Sequence, residues 1–166
     1  MSNLACLAYL SLGSNLGDRA RNLHSAISQL RAGGKLRAVS EFYETGPVEV
    51  TNQPRFINCV IALETDQTPE QLLALALKIE AGMGRVRQSD KGPRIIDIDI
   101  VLFGDQVVSE LGLTIPHPAM AQRRFVLQPL AEIAPEAFHP TLKKTARELL
   151  AALPEGQDVR RVDKSL

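Results

Sequence analysis

The sequence predicts an α+β fold, and three observations carry the prediction. Short apolar runs rich in β-branched residues alternate with stretches whose apolar positions recur every three or four residues. The first six such segments run strand, helix, strand, strand, helix, strand. Gly, Pro, Asn and Ser punctuate the joins. That order is the pattern of a ferredoxin-like βαββαβ sheet with its helices on one face, extended here by C-terminal strands and helices. A length of 166 residues fits one domain, so residues 1–166 are read as a single unit.

Each element has its own justification. Leu4–Leu12 is a compact apolar run that leaves through Gly13-Ser14-Asn15-Leu16-Gly17, a strand followed by a turn. Asp18 is placed to cap a helix on which Leu23, Ile27 and Leu30 share a face, and Gly33-Gly34 ends it. Leu36–Thr45 reads as the second strand through Val39, Phe42 and Tyr43, stopped by Gly46-Pro47. Phe56–Leu63 reads as a buried strand by its β-branched, apolar run. In Thr68-Pro69-Glu70-Gln71 an N-cap precedes a proline at the first helical position, and Gln71 stands where a capping box needs it. Leu72, Leu73, Ala76, Ile79 and Met83 then form the apolar stripe, and Gly82 and Gly84 close that helix. Ile95–Phe103 is the fourth strand. Beyond it, Val107-Val108 and Leu113–Ile115 are expected to add edge strands, with helices at Phe125–Ile133 and Thr145–Leu153.

Composition excludes several classes of function. The apolar fraction of 45% and charged fraction of 23% are those of a globular chain, not a disordered one. Nineteen basic residues against nineteen acidic ones leave no net field to favour nucleic acid or an anionic membrane. No stretch approaches the ~18 apolar residues of a membrane helix, and the first residues lack the basic region of a signal peptide. Cys6 and Cys59 lie inside apolar runs without metal-ligand spacing, which reads as two reduced thiols in a cytoplasmic protein.

The strongest chemical signal is Asp97-Ile98-Asp99 inside a run of isoleucines. Asp is depleted from strands, and period-two alternation puts both carboxylates on one face with their Cα atoms about 6.5–7 Å apart. Two carboxylates so close repel unless a cation lies between them. A few carboxylates, with phosphate oxygens completing the shell, are what Mg²⁺ prefers. A solvated strand face carrying two surface acids remains open on spacing alone. Just before the strand, Arg85, Arg87, Lys91 and Arg94 sit in a glycine-punctuated loop. Read by itself such a run is a solvated loop. Joined to the acids, it supplies cations, a hinge and a metal-binding pair, the parts phosphoryl transfer requires. The chain has no GxxxxGK[ST] loop and no kinase glycine loop with its catalytic Asp motif. His117 and Arg123, six residues apart, matter only if the chain folds back towards the acids; alone, a histidine beside proline reads as a turn residue.

These residues carry a family likeness. Gly92-Pro93-Arg94-Ile95-Ile96-Asp97-Ile98-Asp99-Ile100-Val101-Leu102-Phe103 resembles the signature of the 6-hydroxymethyl-7,8-dihydropterin pyrophosphokinases of folate biosynthesis. The likeness extends from Leu10-Ser11-Leu12-Gly13-Ser14-Asn15-Leu16 to about Pro135, through Ser40–Thr45, Gln53–Asn58, Ile79-Glu80 and Thr114–His117. It implies transfer of diphosphate from ATP to the pterin hydroxymethyl group, releasing AMP, by a monomer that uses two Mg²⁺ ions and neither nucleic acid nor membrane. By the same resemblance, Asp97 and Asp99 bind the metals, Arg85 and Arg94 act on the triphosphate, and His117 and Arg123 add phosphate contacts. Glu80, Thr114 and the backbone around Ile98 would place adenine and ribose. Phe56 and Phe125 would sandwich the pterin, with Asn58 and the backbone near Thr45 and Val48 reading its edge, and Asp97 nearby. Without the likeness both phenylalanines would be read as core. The chain departs from the family's common pattern at Asp90-Lys91, where Arg-Trp is frequent, at Thr45-Gly46-Pro47-Val48 and at Pro118.

Two other readings compete. An RNA-binding α/β plait shares the βαββαβ frame, but it stacks bases on strand aromatics, and here the aromatic fraction is 4% with no basic excess. A degenerate relative that binds nucleotide without turnover would not need the Asp pair, His117 and both arginines, all of which are present.

Overall fold

Alternation along the chain builds a sheet that is apolar on both faces. In chain order the elements of this computed structural model are β1 Cys6–Ser14, α1 Arg19–Leu30, β2 Lys35–Val39, β3 Phe42–Thr45, β4 Ile57–Thr65, α2 Pro69–Gly82 and β5 Asp97–Phe103. There follow β6 Val108–Glu110, β7 Leu113–Ile115, α3 Arg124–Ile133, β8 Phe138–His139, β9 Lys144–Thr145, α4 Ala146–Ala151 and β10 Val159–Val162. The structure describes residues 5–45, 55–84 and 94–163. Arg85, Arg87, Lys91 and Val48 lie outside the described residues, as do most of the Gly82–Gly92 loop and Gly46-Pro47.

The main sheet is antiparallel in every pair and runs β10-β3-β4-β1-β5, with β2 also on β4. Leaving β10 aside, this is the ferredoxin-like order expected. On one face Leu10, Leu12, Ile61 and Ile98 meet Leu23 and Leu30 of α1 and Leu72 and Ile79 of α2. Both of those helices start as the sequence predicts. Asp18 accepts the Arg21 N–H, and Thr68 and Gln71 form the reciprocal capping box.

The two helices of the βαββαβ frame share one face as expected, and the C-terminal extension adds a layer on the other. Val60, Val101 and Leu102 point to the opposite side, where they meet Val126, Leu127 and Leu130 of α3 and Leu149 of α4. The C-terminal helices therefore close a second core that the six-element frame alone would leave exposed. Their grip on the sheet includes the Glu132 carboxylate of α3, which accepts from the Tyr43 hydroxyl at 2.6 Å and from the Glu41 N–H at 3.0 Å. Burial, with the Glu132 charge beside it, pushes the Tyr43 phenol up to about 12.

Three further differences have local causes. The expected strand Leu36–Thr45 is broken into β2 and β3. Buried Ser40 inserts its hydroxyl at the break, accepting from the Val60 N–H at 2.9 Å and donating to the Glu41 carbonyl at 2.7 Å. The segments expected as edge strands, β6 and β7, pair only with each other. The strand that does extend the main sheet is β10, whose Val-Arg-Arg-Val shows too little alternation to announce itself. Finally, the β1–β5 register slips between Tyr9 and Leu10, so Val101 forms a bulge. Its carbonyl accepts the His117 N–H at 3.0 Å, which docks the chain returning from β7 against β5.

Candidate active site

At the β5 entry, Asp97 and Asp99 are the only part-exposed positions of a strand whose other residues are buried. Asp99 stands opposite Ser11 and Asp97 opposite Gly13. Gly13 is in turn opposite Asn58, and Asn58 opposite Tyr43. Residues opposite one another share a face, so Asp97, Gly13 and Asn58 form a row across three strands. A Cβ on Gly13 would lie 2.6 Å from Asn58 Oδ1 and 3.3 Å from Phe56 Cδ1. The missing side chain is therefore what lets the Asn58 amide lie over β1. Asn58 is 4% exposed, and its Nδ2 donates to Thr45 Oγ1 at 3.3 Å. Phe56 itself is part-buried and belongs to neither core cluster.

Asn15 connects this floor to the cations. It is 1% exposed, its Oδ1 accepts the Arg94 N–H at 2.6 Å, and its own N–H donates to the Arg94 carbonyl at 3.0 Å. The residue leading into β5 is thus held by both of its backbone groups to the residue leaving β1. So held, Arg94 places Nη1 3.2 Å from Asp97 Oδ2, a part-buried ion pair.

The sequence left open whether His117 folds back to the acids. It does. Burial lowers the pKa of its imidazole below the ordinary 6.5, the Arg123 charge lowers it further, and the Asp97 carboxylate works against both. Its Nδ1 accepts the Ala119 N–H at 3.1 Å, so the neutral ring carries its proton on Nε2 as a donor. Arg123 is the N-cap residue of α3, and its guanidinium carbon stands 5.5 Å from the centre of the Phe125 ring. Phe125 is part-buried and packs against the second core, on the face that carries Asn58 and Val60. Thr114 occupies the exposed face of the β6–β7 hairpin, opposite Ser109.

Glu80 sits in the last turn of α2 and is 3% exposed. A buried carboxylate at a helix C-terminus works against the helix dipole, so it needs a specific partner. Its Oε2 accepts the Ile98 N–H at 2.8 Å. In a strand the N–H and C=O of one residue point the same way, so the Ile98 carbonyl shares the outer edge of β5 with Glu80. The backbone at Ile98 thus offers that edge an acceptor, its N–H being engaged.

Of the residues singled out from sequence, the structure gathers Asp97, Asp99, Arg94, His117 and Arg123 into one neighbourhood. It sets Phe56, Asn58 and Thr45 beside it and puts Glu80 against Ile98 on the strand's other side. Arg85 and Val48 lie outside the described residues. Gly13 and Asn15, which sequence reading took as turn residues within the family likeness and gave no role at the site, carry structural weight there. Two carboxylates on one face suit Mg²⁺, which keeps few protein ligands and takes substrate phosphates for the rest. Among the described residues no three His, Cys, Asp or Glu side chains converge on one point, so the donor set is not that of a dedicated all-protein cage.

Residues 9–135 match the sequence model of the 7,8-dihydro-6-hydroxymethylpterin-pyrophosphokinase (HPPK) family. The chain is 45% identical over 152 residues to a 2-amino-4-hydroxy-6-hydroxymethyldihydropteridine pyrophosphokinase of Methylorubrum extorquens, covering 90% of this chain and 95% of that one. It is 38% identical over 156 residues to the folic acid synthesis protein FOL1 of Dictyostelium discoideum, covering 94% of this chain but only 24% of that longer protein. In fold it is similar to the crystal structure of Plasmodium falciparum HPPK-DHPS with pteroate, with a TM-score of 0.73 at 18% identity over 91% of this chain and 45% of that one. With the profile spanning most of the sequence and the Asp97-Ile98-Asp99 strand at the centre of the site, the chain belongs to the 7,8-dihydro-6-hydroxymethylpterin-pyrophosphokinase family.

Proposed function

We propose that this protein transfers the diphosphate of ATP to the hydroxymethyl group of 6-hydroxymethyl-7,8-dihydropterin, giving AMP and the pterin diphosphate in folate biosynthesis. We propose further that it does so as a Mg²⁺-dependent monomer in the cytoplasm. Among the described residues no helix is long and apolar enough to cross a membrane. The observation that carries the reading is that a carboxylate pair, a guanidinium and His117 adjoin the row of Gly13 and Asn58, with Phe56 beside it. The first group handles polyphosphate and the second a heterocycle, and they share Asp97 and its neighbour Gly13.

In the reaction the hydroxymethyl oxygen bonds to the β-phosphorus as the bond from that phosphorus to the AMP oxygen breaks, and the hydroxyl proton is released to solvent. Bound by Asp97 and Asp99, two Mg²⁺ ions would neutralise phosphate charge and help align the attacking and leaving oxygens. Arg94, anchored through Asn15, offers a fixed cation to the triphosphate. His117, whose Nδ1 is engaged by the Ala119 N–H, would donate from Nε2 to a phosphate oxygen. Arg123 adds positive charge beside it. On the outer edge of β5 the Ile98 carbonyl would accept from the adenine amino group while Glu80 holds that strand edge in place, with Thr114 facing the ribose. At the floor, Asn58 and Thr45 present polar atoms to the pterin edge, and Phe56 and Phe125 stack on its faces.

Replacing Asp97 or Asp99 by Ala tests the assignment. Each sits at a part-exposed position, and Asp97→Ala also gives up the Arg94 ion pair, so the melting temperature should fall by no more than a few degrees while pyrophosphoryl transfer falls by orders of magnitude. Turnover within tenfold of the wild-type protein in either variant would overturn the assignment.

A further inference from the structure

The chain's C-terminal strand touches three segments at once, and each of them carries part of the ring floor or its walls. The side chain of Gln157, just before β10, reaches the first turn of α3. Its Oε1 accepts the Arg124 N–H at 2.8 Å and its Nε2 donates to the Gln122 carbonyl at 3.0 Å. This matters because α3 begins without a cap of its own: Arg123 occupies the N-cap position and its side chain makes no capping hydrogen bond. Gln157 supplies from 33 residues away an acceptor for the first N–H of the helix, one of the donors a helix start leaves without an intrahelical partner. The helix turn it completes is the one that presents Arg123 and Phe125.

The next residues hold the opposite wall. Asp158 pairs with the Arg55 guanidinium at 3.6 Å, while the Arg55 carbonyl accepts from Arg19 at 2.7 Å, so the residue before Phe56 is gripped at both ends. Val159 then stands opposite Thr45 in the β10–β3 ladder. Three consecutive residues therefore bind the Phe125 turn, the neighbour of Phe56, and the strand position of Thr45.

We propose that Gln157–Val159 is a strap that sets the spacing of Phe56 and Phe125, with Gln157 a positioning residue for recognition of the planar heterocycle. The inference rests on the pterin reading above and deepens it. It makes ring affinity depend on an exposed side chain that touches no substrate and lies beyond the region matched to the family.

The test uses the full chain and the fluorescent oxidised analogue 6-hydroxymethylpterin, titrated with and without saturating Mg²⁺ and a non-hydrolysable ATP analogue. Gln157 is exposed, so Gln157→Ala should fold, and the analogue's Kd should rise about three- to tenfold, the size of a lost helix cap. Amide exchange at Arg124 and Phe125 should quicken in the same variant. Gln157→Glu keeps the acceptor for the Arg124 N–H but loses the donor to the Gln122 carbonyl, so it should restore both readouts in part. Arg160→Ala, which breaks only the exposed Arg160–Glu44 pair on the same strand, should leave both unchanged. Unaltered analogue binding in Gln157→Ala overturns the strap, as does equal weakening in Arg160→Ala or amide exchange at Arg124 and Phe125 that stays at the wild-type rate in Gln157→Ala. If the wild-type protein binds the analogue in neither condition, it is the pterin reading that fails, and the inference falls with it.

Discussion

Replacing Gly13 by Ala should separate ring recognition from stability. The new Cβ would sit 2.6 Å from Asn58 Oδ1, about 0.7 Å short of the ~3.3 Å at which carbon and oxygen ordinarily meet. The β1–β4 ladder on both sides of Gly13 fixes the backbone, so the Asn58 side chain has to turn away. That turn breaks its bond to Thr45, already long at 3.3 Å, at a cost of about 0.5–1.5 kcal/mol. Against this, the unfolded chain loses freedom when glycine becomes alanine, which returns about 0.4–1 kcal/mol. The two nearly cancel, so the melting temperature should move by no more than about 4 °C for a chain of this size. Binding has no such offset. The amide moves off the pterin edge, and losing a fixed polar contact there should raise the pterin KM about 10- to 100-fold, with the ATP KM within about twofold. Steady-state kinetics in each substrate, beside thermal unfolding, read this out. An unchanged pterin KM would refute the floor, and a collapse in melting temperature would show that Gly13 serves folding alone.

Two further outcomes follow from the same geometry. Glu80→Ala removes the acceptor of the Ile98 N–H, so it should cost about 1–3 kcal/mol in urea unfolding and raise the ATP KM more than the pterin KM. Glu80→Gln, which keeps an acceptor oxygen, should recover most of the stability; equal losses in both variants would contradict the role given to that bond. His139, far along the chain from the carboxylates, is held below its ordinary pKa of 6.5 mainly by burial, and its Nδ1 accepts the Thr141 and Leu142 N–H groups. The unfolded chain therefore takes up this proton at a higher pH than the folded one. Its contribution is whole above about pH 6.5 and is lost as pH falls towards the lower folded value. Unfolding free energy measured between pH 7.5 and 5 should fall less steeply in His139→Asn than in the wild-type protein, and equal slopes would contradict the assignment.

The sequence made the first core legible because its signals are local. Asp18, the Thr68–Gln71 box and the apolar stripe of α2 each act within a few residues, and the Ile-Asp-Ile-Asp alternation states its own facing. What stayed hidden depends on partners distant in the chain. Ser40 breaks a strand only because the Val60 N–H is there to be caught, and the bulge at Val101 is a property of pairing with β1. Likewise, α3 looked like an appendage until its apolar side met Val60 and Leu102. At the site, the residues of strong chemical character were readable, whereas Gly13 and Asn15 were not. A glycine's role as a gap appears only once Asn58 lies over it, and an asparagine in a turn gives no sign that it will hold the backbone of Arg94.

The central claim is that diphosphate, rather than a single phosphoryl group, leaves ATP for the pterin hydroxyl. The most direct test incubates the protein with ATP, Mg²⁺ and 6-hydroxymethyl-7,8-dihydropterin and separates AMP from ADP among the products. AMP appearing in step with pterin diphosphate, and absent from Asp97→Ala, is the predicted result. ADP in its place, or bound ATP with no turnover, would contradict it.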